Sequence, residues 1–182
     1  IAAVRETLEE TGLAVGLHQR PSLDDALRAR AHLLEVGTLG PVLDAMGWTL
    51  DLDGLVAFSR WRPKHKEIRV FDTRFYLANL GTGAVDLLVD ATENTHLFWA
   101  SADEALRLAD TGDIKVIFPT RRNLERLALF GSFDDALAHV AEFPSVMITP
   151  FMEMRDGVPW LLIPEGAGYP VQGEVLESAA RG

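Results

Sequence analysis

The chain has 182 residues, 48% apolar and 24% charged, with 15 Gly and 9 Pro. These proportions suit one globular domain and exclude a long disordered or collagen-like segment. Seventeen Lys and Arg against 27 Asp and Glu leave a net charge of −10 and there is no cysteine, so unspecific nucleic-acid binding, disulfides, thiolate zinc sites and cysteine nucleophiles are all excluded.

In chain order, Ile1, Val4 and Leu8 fall at helical spacing with Arg5, Glu6, Glu9 and Glu10 on the other side, and Gly12 is placed to end the helix in a left-handed cap. The pattern predicts a short amphipathic helix over residues 1–13. Ser22 with Asp25 reads as a capping box behind Pro21 and starts a helix to about residue 35; a second helix over residues 41–46 stops at Gly47, which together make a helical insert of about residues 14–54. Leu55–Trp61 and residues 69–80 are rich in Val, Phe, Tyr and Trp, and Phe71, Thr73 and Phe75 alternate with Asp72, Arg74 and Tyr76. Two strands are expected there, joined by the basic loop 62–67.

After a turn at residues 81–83, residues 85–89 and 95–99 read as further strand pieces. Ser101 with Glu104, Thr120 with Asn123 and Ser132 with Asp135 each set an oxygen acceptor before an apolar helical run, predicting helices over residues 102–110, 121–130 and 133–142. Residues 146–154 and 158–163 flank Asp156-Gly157, the signature of a type I′ hairpin. No repeat or linker interrupts this order, and one α/β domain over residues 1–182 is expected. The longest apolar runs, such as residues 160–163, are too short to span a bilayer.

Glu6, Glu9 and Glu10 stand at i, i+3 and i+4, so a helix projects three carboxylates from neighbouring positions. Alone they repel one another; a divalent cation resolves the conflict, and hard oxygen ligands suit Mg²⁺ or Mn²⁺. Arg5, four residues before Glu9, is placed to orient one carboxylate. An ordinary solvated acidic face is the competing reading.

The string Arg5-Glu6-Thr7-Leu8-Glu9-Glu10-Thr11-Gly12-Leu13 resembles the second half of the Nudix box, G-x5-E-x7-R-E-U-x-E-E-x-G-U, where U is a bulky apolar residue. Its one departure is Thr7 at the first U position. By the box spacing the first Gly and Glu positions fall before Ile1, outside this sequence, where the strands that the resemblance implies upstream are also expected. Beyond the box, the helical insert, Trp61-Arg62-Pro63, the run from Arg69 to Ala78, Glu93 to Trp99, and Phe118-Pro119-Thr120 with Leu124 resemble the branch that includes the peroxisomal coenzyme A diphosphatases and their bacterial relatives. This likeness extends to about Phe143.

The resemblance implies a Nudix-type α/β/α sandwich with a mixed sheet and hydrolysis of the pyrophosphate bond in a nucleoside diphosphate joined to another group. CoA or acyl-CoA, giving 3′,5′-ADP and a 4′-phosphopantetheine product, is the expected substrate. An ADP-ribose- or NADH-type pyrophosphatase and an inactive metabolite-binding module are the alternatives. The resemblance further implies Mg²⁺ or Mn²⁺ as cofactor, held by Glu9 and Glu10, with Glu6 a ligand or general base. Glu93 is the later candidate for an extra ligand or base, against an exposed turn residue.

Arg62, Lys64, His65, Lys66 and Arg69 concentrate positive charge in an acidic chain. They are candidates to grip substrate phosphates, or form a solvated loop. Arg74 is a further phosphate candidate or an ion-pair partner of Asp72. The five histidines lack metal-site spacing, and Asp51-Leu52-Asp53-Gly54 reads as a turn. The expected partner is thus a small diphosphate, with no nucleic acid and no membrane; a homo-oligomer stays open, and the lack of cysteine fits a cytoplasmic location.

Overall fold

The computed structural model describes residues 1–63, 70–81 and 97–179. Two compact units divide the chain: residues 1–56 with 76–99, and residues 57–75 with 100–182. Helices and small sheets make it a mixed α/β protein, and among the described residues no helix is long and apolar enough to cross a membrane.

The first unit is built on helices α1 (Ala2–Thr11), α2 (Leu23–Val36) and α3 (Leu39–Met46). Val4 and Leu8 of α1 are both buried and pack with Ala29 and Leu33 of α2, Leu39 and Val42 of α3, and Trp48. Ile1, expected on this stripe, is instead 71% exposed, because it is the N-cap residue and precedes the first helical turn. Helix α2 opens with the expected capping box, Ser22 Oγ accepting from the Asp25 N–H at 3.2 Å and Asp25 Oδ2 accepting from the Ser22 N–H at 3.3 Å. Helix α3 begins two residues before the expected Pro41, which sits in the first turn where its missing N–H costs no hydrogen bond.

Residues 16–18 are tied to 49–51 by Asp51 N–H to Gly16 O at 2.8 Å and His18 N–H to Thr49 O at 3.1 Å. Gly16 has φ +66°, and a Cβ there would lie 3.1 Å from Val4 Cγ2 and Leu55 Cδ1. The backbone conformation favours glycine, and a Cβ would in addition press on both side chains.

Strand β1 (Leu55–Trp61) lies between β2 (Thr73–Ala78) and β3 (Met147–Ile148). It runs parallel to β3, with Trp61 opposite Ile148. Only residues 73–78 of the expected strand 69–80 pair as a strand; residues 70–72 are irregular, residues 64–69 lie outside the described residues, and Phe71 is exposed. The expected strand over residues 85–89 and residues 95 and 96 of that over 95–99 also lie outside the described residues, while residues 97–99 are irregular and not a strand.

Helices α4 (Ala102–Thr111), α5 (Phe118–Leu127) and α6 (Phe133–Glu142) follow. Ser101 and Ser132 cap α4 and α6 as expected. Thr120 does not cap α5: the helix starts at Phe118, with Ile117 as N-cap and Pro119 in the first turn. Proline's fixed φ initiates the turn upstream of the threonine.

Strands β4 (Phe151–Arg155) and β5 (Val158–Leu162) form the expected hairpin, its turn residues Asp156 and Gly157 at φ 48° and 79°. These positive values match a primed turn. Strand β6 (Gly173–Val175), which sequence periodicity missed, pairs antiparallel with β5 and leads into the short helix α7 (Leu176–Ala179).

The core of the second unit gathers Trp61, Phe118, Ile148, Ile163, Ala167 and Tyr169. Arg122 and Arg126 of α5 are both only 1% exposed. Arg126 Nη1 donates to Phe58 O at 2.9 Å and Nη2 to Phe143 O at 3.0 Å, and its guanidinium lies 4.5 Å from the Phe58 ring centroid. Burial pulls this group below the usual guanidinium range, so carbonyl dipoles and the ring face offset the loss of water. Arg122 Nη2 meets Glu125 Oε1 at 2.8 Å. Burial in turn pushes the Glu125 carboxyl above its ordinary value.

Replacing Arg126 by leucine should lower the urea-unfolding free energy by about 2–4 kcal/mol, because one buried and one part-buried carbonyl lose their donors; an unchanged midpoint would contradict this account. Glu125 gives a second expectation. Its folded pKa lies above the unfolded value, so the native state binds the extra proton between the two, and this contribution to stability declines as pH rises through that window. Urea midpoints of Glu125→Gln, followed over about pH 4–8 against the parent chain, should lack that decline.

Candidate functional site

Helix α1 carries the three sequence-selected acids on a segment fixed from behind by Val4 and Leu8. Gly12, at φ 73°, closes it by donating its N–H to Leu8 O at 3.0 Å. Glu9 and Glu10 therefore stand in the last turn, which contains no basic residue. Negative charge there opposes the helix macrodipole and is destabilising.

Two arginines relieve this arrangement. Arg5 Nη2 contacts Glu6 Oε1, and Nη1 lies 2.5 Å from Glu9 Oε2. From α2, Arg30 Nε donates to the Glu9 carbonyl at 2.8 Å, one of the acceptors that a helix C-terminus leaves without an intrahelical donor. Sequence inspection missed Arg30, since 21 residues separate the pair and only the packing of α2 on α1 brings them together. Thr7, the departure from the apolar pattern, is half-buried and uses its carbonyl to accept the Thr11 hydroxyl at 2.6 Å.

The side chains of Arg5, Glu6 and Glu9 are 32%, 47% and 32% exposed, so water screens these pairs and each is worth about 0–1 kcal/mol. Among the described residues no three His, Asp or Glu side chains gather as a metal-holding group. The carboxylates of Glu6 and Glu9 share one positive group, the Arg5 guanidinium. Their all-oxygen donor chemistry suits a hard divalent cation, and the weak existing pairs are displaceable by one.

Glu93, Lys64 and Arg69 lie outside the described residues, as do His65 and Lys66. Arg62 and Arg74 belong to the second unit. Arg62 is exposed, with its backbone N–H donating to Ile148 O at 2.9 Å. Arg74 is 57% exposed and stands 3.9 Å from Asp72 Oδ2.

Asp72 has a tighter partner, Arg60 on β1, which donates from Nε at 2.7 Å and Nη2 at 2.6 Å. That hydrogen-bonded fork holds the Asp72 carboxyl below its ordinary range. The sequence places Asp72 beside Arg74, whereas the fold hands it to Arg60, twelve residues away. Arg74 is thereby left largely to solvent.

No family model, curated protein or solved structure matches this chain. If the acidic face of α1 takes a divalent cation, millimolar Mg²⁺ or Mn²⁺ should raise the thermal midpoint, by the equivalent of about 2.7 kcal/mol at a hundredfold excess over Kd. Glu9→Gln should lose most of that rise. Arg5→Gln should keep it while changing metal-free stability by less than about 1 kcal/mol, and an unresponsive parent chain would remove the cation from the reading.

Proposed function

We propose that this chain is a Nudix-type hydrolase with an α/β/α fold that cleaves the pyrophosphate bond of a nucleoside diphosphate joined to another group, CoA or acyl-CoA being the preferred substrate. The observation that carries the reading is the acidic face of α1, where Glu6 and Glu9 share the Arg5 guanidinium and Glu10 stands on the same last turns. An acidic cluster at a helix C-terminus is unfavourable for the helix itself, and the solvent-screened Arg5 pairs offset it only weakly, which supports a divalent cation as a further partner.

Glu9 and Glu10 are the proposed ligands of Mg²⁺ or Mn²⁺, with Glu6 a ligand or the general base. When bound, the cation supplies charge neutralisation of the diphosphate and activation of a water. Arg5 orients the Glu9 carboxylate through its Nη1 contact. As base, Glu6 accepts the proton of the attacking water while the new P–O bond forms and the bridging P–O bond breaks. Cleavage of CoA in this way yields 3′,5′-ADP and 4′-phosphopantetheine. Glu93 is the later carboxylate available for the same role.

The contacts of Arg5 also support a second reading, a module that binds such metabolites without cleaving them, because Glu6 and Glu9 are already engaged by a side chain of their own helix.

Product analysis separates the two readings. Incubation with CoA, acyl-CoA, NADH or ADP-ribose in Mg²⁺ or Mn²⁺ should release the two phosphomonoester products, and EDTA should abolish release. Glu6→Gln should reduce kcat by about 10²–10⁴-fold if it is the base, with Glu93→Gln showing that loss instead if the base lies there. Ligand binding without products in any metal would leave the module.

A further inference from the structure

The first unit contains a cavity of about 590 Å³ whose wall starts at Gly12, the cap of α1, continues through residues 13–21, and is completed by Leu23, Ala26, Asp51, Gly54 and residues 78–81. This volume falls within the roughly 300–1,000 Å³ of small-molecule sites. Its polar lining residues are His18, Gln19, Arg20, Asp51 and Asn79.

Two of these hold the loops together. Gln19 accepts the Thr49 N–H at 2.9 Å and donates to Thr49 Oγ1 at 3.1 Å, and Asn79 Oδ1 accepts the Gly81 N–H at 2.8 Å. Asp51 spends Oδ1 on the Gly54 N–H at 3.2 Å, while Oδ2 stands 3.8 Å from His18 Nδ1, beyond hydrogen-bond distance. Arg20 is exposed. Unlike Arg5, Arg28, Arg60, Arg107 and Arg121, it pairs with no carboxylate among the described residues.

The cavity thus offers one uncommitted guanidinium, one carboxylate oxygen with acceptor capacity, and the apolar residues Leu13, Val15 and Leu80. We propose that it takes the nucleotide end of a ligand. A phosphomonoester pairs with the planar donor fork of Arg20, ribose hydroxyls donate to Asp51 Oδ2, and the base lies on the apolar wall. A free inorganic anion would use Arg20 and leave the remaining lining residues unemployed. Choice of a nucleotide rests on the proposed hydrolase reading, but binding itself requires neither the acids of α1 nor a cation.

Calorimetric titration in EDTA with AMP, 3′,5′-ADP, adenosine and inorganic phosphate tests this. Both nucleotides should bind saturably, and more tightly than adenosine or phosphate. Arg20→Gln, a change at an exposed side chain, should weaken the nucleotides about ten- to a hundredfold and leave adenosine unaffected. The 2′,3′-dideoxy analogue of AMP should bind several-fold more weakly than AMP to the parent chain, a difference that shrinks in Asp51→Ala once its folding is verified by circular dichroism. Glu9→Gln should bind AMP as the parent does.

Equal nucleotide affinity in Arg20→Gln and the parent overturns the assignment, as does phosphate binding as tightly as AMP. If CoA is hydrolysed but KM is the same in Arg20→Gln, the hydrolase stands and this cavity assignment falls. If AMP binds through Arg20 while no diphosphate is ever cleaved, the cavity assignment stands and the hydrolase falls.

Discussion

Three carboxylates within five residues of one helix repel each other, and two of them sit where the helix dipole is already negative. That electrostatic conflict governs the first unit. Val4 and Leu8 fix the helix by burial, so the acids cannot turn inward, and Gly12 stops the helix one residue after its last turn. The conflict is eased from two sides. Arg5 spans Glu6 and Glu9 along the surface, and Arg30 reaches from α2 to the Glu9 carbonyl. Screened by solvent, the Arg5 pairs orient more than they stabilise.

The second unit handles charge in the opposite way. Arg122 and Arg126 are withdrawn from water altogether, and each is stabilised by a different means: Arg122 by Glu125, Arg126 by two backbone carbonyls and the faces of Phe58 and Tyr169. Arg126 connects the carbonyl of a β1 residue to that of Phe143, the residue closing α6. Asn123 adds a second tie on the same helix, its Oδ1 accepting from Ser59 Oγ and Tyr169 Oη, both at 2.9 Å. A polar face on α5 therefore serves as core, with Arg126 supplying donors to two carbonyls that would otherwise lose theirs.

Elements whose signals are local were legible in the sequence. Ser22, Ser101 and Ser132 announce their helices through a hydrogen bond spanning three residues, Gly12 and Gly47 end theirs through a positive φ, and Asp156-Gly157 sets a hairpin through its own two dihedrals. Where the outcome depended on distant partners the reading lost accuracy. Strand β2 is shorter than its alternation suggested because pairing with β1 sets its ends, and β6 is too short for any periodicity, existing only because β5 offers it an edge. Thr120 looked like a cap and lies inside α5, since Pro119 moved the start upstream.

For the candidate site, the sequence by itself determined which acids share a helix face and that Arg5 reaches Glu9, because both follow from the 3.6-residue repeat over one or two turns. The tertiary structure alone decided that Arg30 supports Glu9, that Asp72 pairs with Arg60 in preference to its neighbour Arg74, and that Arg20 and Asp51 line one cavity. Each of those outcomes joins groups at least twelve residues apart, and such pairs meet only through the packing of whole elements, which local spacing does not encode.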